Sequence, residues 1–206
     1  MKGQLKLGVL ISGSGTNLQA IIDACESGAL DAQVAVVISN HEGARGLVRA
    51  RERDIDAVHI DRTSFDSSRA YNHAIRRELE QHDVDVVVMA GYMRLLGSEV
   101  LEAFPNKVVN IHPTLLPSFA GPSGITDAFD YGVKVTGVTV HFANQVFDEG
   151  PIIAQEAIVI AENDSVDDLE AKIHEVEHRL YPAALQLIAE GRVRIVGRRV
   201  HIDPPQ

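Results

Sequence analysis

Cysteine is almost missing from this chain: Cys25 is the single thiol among 206 residues, so no internal disulfide can form. A reducing compartment fits that usage. Basic charge is also scarce, with 19 Lys and Arg against 29 Asp and Glu, a net charge of −10. A chain this acidic argues against nucleic-acid binding, which needs a basic face for the phosphate backbone. Long apolar runs are missing too. None approaches the ~20 residues that span a bilayer. Ahead of Ser12, the run Leu7 to Ile11 is too short for the apolar region of a signal peptide. The expectation is a cytoplasmic protein with no membrane association. Metal-ligand patterns are lacking as well: there is no His-Glu-x-x-His, no Cys pair and no acidic cluster, so no metal is expected. The Gly-x-Ser-x-Gly spacing of a serine nucleophile elbow is absent, which disfavours a covalent serine mechanism. No repeat, low-complexity tract or Pro/Ser-rich linker divides the chain.

What is there is ordinary globular material: 45% apolar and 23% charged residues. The length favours one domain, able to bury roughly 70% of the surface its unfolded chain exposes. Leu7 to Ile11, Val34 to Ile38 and Val84 to Ala90 are β-branched and nearly continuous, as in strands buried on both faces of a parallel sheet. Leu18 to Ser27, Ala44 to Arg53 and Ser67 to Gln81 read as the intervening helices. This alternation predicts a doubly wound α/β sheet with helices on both sides. Val108 to Ile111, Val133 to Phe142 and Ile152 to Ile160 read as further strands. Lys134, Thr136 and Thr139 interrupt the middle one, which places it nearer a sheet edge. Ser165-Val166-Asp167-Asp168 resembles a capping box opening a long helix, with Gly191 as its stop. Val193 to Val196 and Val200 to Ile202 suit a terminal hairpin.

Four places carry chemistry. Ser12-Gly13-Ser14-Gly15-Thr16-Asn17 joins the first strand to the first helix, where free N–H groups and the positive end of the helix dipole suit a phosphate. It is not the dinucleotide fingerprint, because Leu18 stands where the third glycine would be. The alternative is an ordinary Gly-rich turn. In Asn110-Ile111-His112-Pro113, strand alternation points Asn110 and His112 to the same side. An amide there can stabilise an oxyanion and an imidazole can exchange a proton; the alternative is a histidine merely capping its strand. Asp148, in Phe147-Asp148-Glu149-Gly150-Pro151, would raise the pKa of His112 if it lay beside it, or else it serves an ordinary turn. Glu177 lies about 70° from the centre of its helix's apolar stripe, where it can face a cleft and bind an ammonium or hydroxyls. Otherwise it is a solvated glutamate paired with Arg179 or its neighbours.

These residues sit in longer stretches that resemble the phosphoribosylglycinamide formyltransferases across nearly the whole chain. The resemblance rests on Leu10-Ile11-Ser12-Gly13-Ser14-Gly15-Thr16-Asn17-Leu18-Gln19-Ala20-Ile21, Ala90-Gly91-Tyr92-Met93-Arg94-Leu95-Leu96 and Asn110-Ile111-His112-Pro113-Thr114-Leu115-Leu116-Pro117. Val140-His141-Phe142, Asp148-Glu149-Gly150-Pro151-Ile152-Ile153 and Glu177-His178 follow in the family's order. It implies the formyltransferase fold: a mostly parallel, Rossmann-like sheet with an antiparallel strand in the C-terminal half and a long C-terminal helix. It implies one domain, with a phosphate-binding half over about residues 1–105 and a catalytic and folate half over about 106–206.

By the same resemblance the chain would move the formyl group of 10-formyltetrahydrofolate, its cosubstrate, to the amine of 5'-phosphoribosylglycinamide in purine biosynthesis. Asn110, His112 and Asp148 would form the catalytic group. Gly15, Thr16 and Asn17 would hold the substrate phosphate and Glu177 its glycinamide end. Met93, Arg94, Leu95, Leu96 and Asn110 would bind folate. Many members carry a folate-contacting Arg where this chain has Ser68, and Arg69 would substitute from a shifted position. Many also carry His where this chain has Ser123. The partners implied are small molecules, with a homodimer left open.

Related 10-formyltetrahydrofolate enzymes are the rivals. Methionyl-tRNA formyltransferases normally add a C-terminal tRNA-binding domain, and formyltetrahydrofolate hydrolases normally add an N-terminal regulatory domain. Neither extension is expected here. A non-catalytic module sensing folate or a nucleotide is a third reading, since fold does not fix function.

Overall fold

The computed structural model describes residues 3–205. Strands β1 (Leu5–Ile11), β2 (Ala32–Ser39), β3 (Asp56–His59), β4 (Val86–Met89) and β5 (Val108–His112) pair in parallel in the order β3-β2-β1-β4-β5. They are apolar on both faces because both faces are covered. Leu7, Val9 and Ile11 of β1 pack with Leu18 and Ile21 of α1 (Thr16–Glu26), Leu47 of α2 (Arg45–Arg51), and Ile173 and Tyr181 of α6 (Val166–Ala189). Leu10, which points the opposite way, packs with Tyr71, Ile75 and Leu79 of α3 (Ser68–Gln81) and Val100 of α4 (Ser98–Leu101). The doubly wound arrangement is therefore present, with α5 (Gly124–Tyr131) against α6 on the first side.

Beyond β5 the sheet changes direction. β6 (Val135–Phe142) is antiparallel to β5, and β7 (Ile152–Val159) is antiparallel to β6. β9 (Arg199–Ile202) adds in parallel to β7, and β8 (Val193–Val196) closes the hairpin with β9. The result among the described residues is one nine-stranded sheet.

β6 does not lie near an edge, as its polar residues suggested. It runs between β5 and β7, and the edges are β3 and β8. The threonine that misled has internal partners. Thr139 donates to the Thr114 carbonyl at 2.7 Å and accepts from the Leu116 N–H at 3.1 Å. Its hydroxyl anchors the loop that leaves β5, so its polarity serves a buried hydrogen-bond network rather than solvent. Strand β3 and helices α4 and α5 are further elements that periodicity did not mark. The first two have four residues each, too few to display a period.

The long helix opens as read. Ser165 Oγ accepts from the Asp168 N–H at 3.2 Å, and the Asp168 carboxylate accepts from the Ser165 N–H at 2.9 Å. Buried at the other end of α6, Tyr181 donates its hydroxyl to the carbonyls of Val109 (2.9 Å) and Met89 (3.2 Å). It thereby clamps β4 to β5 just before Asn110. Chain order reverses between β1 and β4, and the crevice at such a switch point, outside the carboxyl ends of the strands, is where α/β sheets hold ligands.

Candidate active site

The glycine turn after β1 is held from behind. Gly15 sits at φ 68° as the N-cap of α1, and a Cβ there would fall 2.7 Å from the Cα of Gly46. Gly46 N–H donates to the Gly13 carbonyl (3.2 Å) and Arg49 Nε to the Ser14 carbonyl (2.9 Å). No side chain caps α1, so its first N–H groups stay open to an anion. Asn17 spends its side chain elsewhere: Nδ2 donates to Glu177 Oε2 at 3.0 Å, tying α1 to α6. What the turn offers a phosphate therefore excludes the Asn17 side-chain amide.

Glu177 is buried and lines the same cleft as the glycine turn. Burial pushes its carboxyl above the ordinary glutamate value, against the Asn17 hydrogen bond and the nearby His174, which favour the charge. His174 Nε2 lies 4.0 Å from Glu177 and 3.9 Å from Glu170. Arg179, the plain surface partner, pairs with Glu156 instead.

On β5, Val109 and Ile111 enter the core while Asn110 and His112 face the cleft. The loop from β6 to β7 returns beneath them. It can do so because Gly150 has no side chain: a Cβ there would lie 1.6 Å from the Phe142 carbonyl oxygen. Asp148 takes a left-handed φ of 54° in this loop, the kind of backbone strain found at functional sites. Its carboxylate stands 3.4 Å from His112 Nδ1 and 3.5 Å from Asn110 Nδ2, and accepts the Gly121 N–H at 3.0 Å. On the far side of the ring, His112 Nε2 lies 2.9 Å from the Phe119 carbonyl.

Asp148 favours the charged form of His112, as its carboxylate led one to expect. The net direction is the reverse: burial pulls the imidazole below the ordinary histidine value, outweighing the Phe119 carbonyl and Asp148. Only the imidazolium satisfies both acceptors that flank the ring, so the charged form is held by Asp148 and opposed by burial. Asp148 itself stays below the ordinary carboxylate value. Burial works to raise it, and the neighbouring His141, then the Gly121 N–H and His112, outweigh burial.

Together these groups border a cleft of about 580 Å³. Met93 lines it as well, whereas Leu95 and Leu96 line a narrower recess with Val146, Phe147, Asn110 and Asp148. Arg94 lines neither. Its guanidinium lies 5.8 Å from the centre of the Tyr71 ring. Arg69 lies apart from both: its side chain points to Glu99 (3.8 Å), along a surface hollow with His73 and Arg76, and does not line the cleft. One helical position on from Ser68, it leaves on a different bearing. The cation at Ser68 is Arg62, which donates to its hydroxyl at 3.2 Å and lies 6.0 Å from the Tyr71 ring centre. Ser123 lines the cleft at the start of α5.

Comparison with known proteins identifies the family. The family described as formyl transferase matches residues 5–185. The chain belongs to the formyl transferase family. Phosphoribosylglycinamide formyltransferase of Haemophilus influenzae is 41% identical over 198 residues, covering 96% of this chain and 93% of that protein. The crystal structure of glycinamide ribonucleotide transformylase 1 from Symbiobacterium toebii superposes with a TM-score of 0.97 at 50% identity, covering 99% of this chain and 96% of that one. A formyltetrahydrofolate deformylase from Pseudomonas syringae shares the fold at a TM-score of 0.91 and 26% identity, covering 98% of this chain and 67% of that one.

Three groups of this formyltransferase's site escaped sequence reasoning. The Phe119 carbonyl left no trace, because a backbone atom leaves none. His174, one turn before His178 on α6, was available as a histidine three residues from Glu177. His141 stood in plain view within Val140-His141-Phe142, directly across the ladder from Asn110. No helix among the described residues is long and apolar enough to cross a membrane.

Proposed function

We propose that this formyltransferase moves the formyl group of 10-formyltetrahydrofolate to the amine of 5'-phosphoribosylglycinamide, giving formylglycinamide ribonucleotide and tetrahydrofolate. The observation that carries the reading is the meeting of Asn110, His112 and Asp148 in one cleft with the glycine turn. In this reading a single formyltransferase domain places the phosphate on the backbone N–H groups of Gly15, Thr16 and Asn17. Glu177 takes the glycinamide end. The donor's ring system lies against Met93, Leu95, Leu96 and Asn110, on the side of the cleft next to the β6–β7 loop.

The free amine attacks the formyl carbon, and the carbonyl oxygen becomes an oxyanion. Asn110 Nδ2–H donates to that oxygen, and the His112 imidazolium, its two N–H groups facing Asp148 and the Phe119 carbonyl, stabilises it by its charge; Asp148 holds the imidazolium against the cost of burying it. The new bond's nitrogen loses a proton, N10 of the folate gains one, and the C–N10 bond breaks. Losing one such donor costs ~10²–10³ in turnover. Purified protein is expected to consume 10-formyltetrahydrofolate only when phosphoribosylglycinamide is present. His112→Ala should remove most of this activity with the fold intact; near-normal turnover of that variant, or amine-independent release of formate by the wild type, refutes the reading.

A further inference from the structure

His141 is buried and not used by the chemistry above, yet it touches two of the three groups that perform it. Its Nδ1 lies 3.0 Å from the carbonyl oxygen of Phe142, and a carbonyl can only accept, so Nδ1 carries the proton. That leaves Nε2 as a lone-pair acceptor in the neutral ring. Its near neighbour is Asn110 Nδ2 at 3.2 Å. Asp148 Oδ1 stands farther off, at 3.6 Å.

An asparagine side chain has two faces, one donating and one accepting, and without a fixed partner it can rotate either toward the reacting oxygen. We propose that His141 is a positioning residue that sets the orientation of the Asn110 amide, so that its donor and not its acceptor serves the oxyanion. The backbone register makes this possible. Asn110 and His141 are directly paired on the antiparallel ladder of β5 and β6, which puts both side chains on the same face. One Nδ2 hydrogen is held by His141 Nε2. The contact to Asp148 is long, at 3.5 Å, so it does not hold the second hydrogen firmly. That second hydrogen is the one left for an oxygen in the cleft. A reversed amide would set Asn110 Oδ1 against both the Nε2 lone pair and the Asp148 carboxylate, which is repulsive twice over.

The inference rests on the formyl-transfer reading, and its test separates the two. His141→Asn keeps an N–H near the Nδ1 position, facing the Phe142 carbonyl, and loses the acceptor at Nε2. His141→Gln reaches the Nε2 position with an amide oxygen and keeps that acceptor. Folding of each is checked by circular dichroism and thermal melts, and kcat and KM are measured for both substrates. The expected result is a fall in kcat of ~10-fold or more for His141→Asn, the scale of one lost hydrogen bond, with each KM little changed. His141→Gln should recover much of that loss. Combining His141→Asn with Asn110→Ala should be no slower than Asn110→Ala alone, because the histidine acts through the amide. Equal losses in the two His141 variants, or losses that multiply with Asn110→Ala, overturn the inference while the transfer activity of the wild type stands. Absence of transfer in the wild type overturns the underlying reading itself.

Discussion

Replacing Asp148 by Asn removes one charge and almost nothing else. The amide has the carboxylate's shape, can still accept the Gly121 N–H now 3.0 Å away, and belongs to the residue type that best tolerates the left-handed φ of 54° at this position. The fold should persist. What disappears is the negative charge 3.4 Å from His112 Nδ1. An opposite charge at such a distance raises a histidine's pKa by about one to three pH units. His112 already lies below the ordinary histidine value through burial, with Asp148 as a counterweight. Removing the counterweight moves it lower still. If the protonated ring stabilises the oxyanion, activity falls as pH rises through the pKa of His112. In Asp148→Asn that fall should begin about one to three pH units earlier, and turnover on the falling limb should drop by about 10- to 1,000-fold. The assay is kcat/KM for formyl transfer measured from acid to mildly alkaline pH in both proteins, with thermal melts to confirm folding. A basic limb at the wild-type position, or turnover within about twofold of wild type at neutral pH, defeats the claim that Asp148 holds the imidazolium.

Glu177→Gln should split stability from binding. The folded protein raises this carboxyl's pKa, so the group favours the folded state while protonated and loses that contribution as pH rises through the raised value. The neutral amide should therefore melt higher than wild type above that window and about equally at pH 4, while KM for the amine substrate rises; an unchanged KM would remove Glu177 from the binding site. Tyr181→Phe strips a buried hydroxyl from the carbonyls of Met89 and Val109. Losing about 1–2 kcal/mol there corresponds to a melting temperature lower by about 2–8 °C for a chain of this length. Loss of the clamp should also lower kcat more than either KM, because it lies directly beneath Asn110. A melting temperature within about one degree of wild type would show that the hydroxyl carries no such load.

The local pattern of residues by itself determined a large part of this protein. Continuous Val and Ile runs separated by amphipathic stretches specify a covered parallel sheet, because such strands are stable only with helices on both faces. Ser165 and Asp168 mark the start of α6 through a cap that needs four consecutive residues and nothing else. Asn110 and His112 share a side because a strand alternates. Tertiary structure decided what depends on who meets whom. Thr139 looked like an edge residue until its hydroxyl was seen to hold the loop after β5. Arg69 sits beside the register expected for a folate contact, yet one residue along a helix turns a side chain by about 100°, and it points to Glu99. The pKa of His112 was read from its charged neighbour alone. Its direction came from burial, a property of the whole packed neighbourhood that no spacing in the chain records. The same holds for His141: its chemistry is written in the sequence, but its proton is placed by the Phe142 carbonyl and its role by the strand across the ladder.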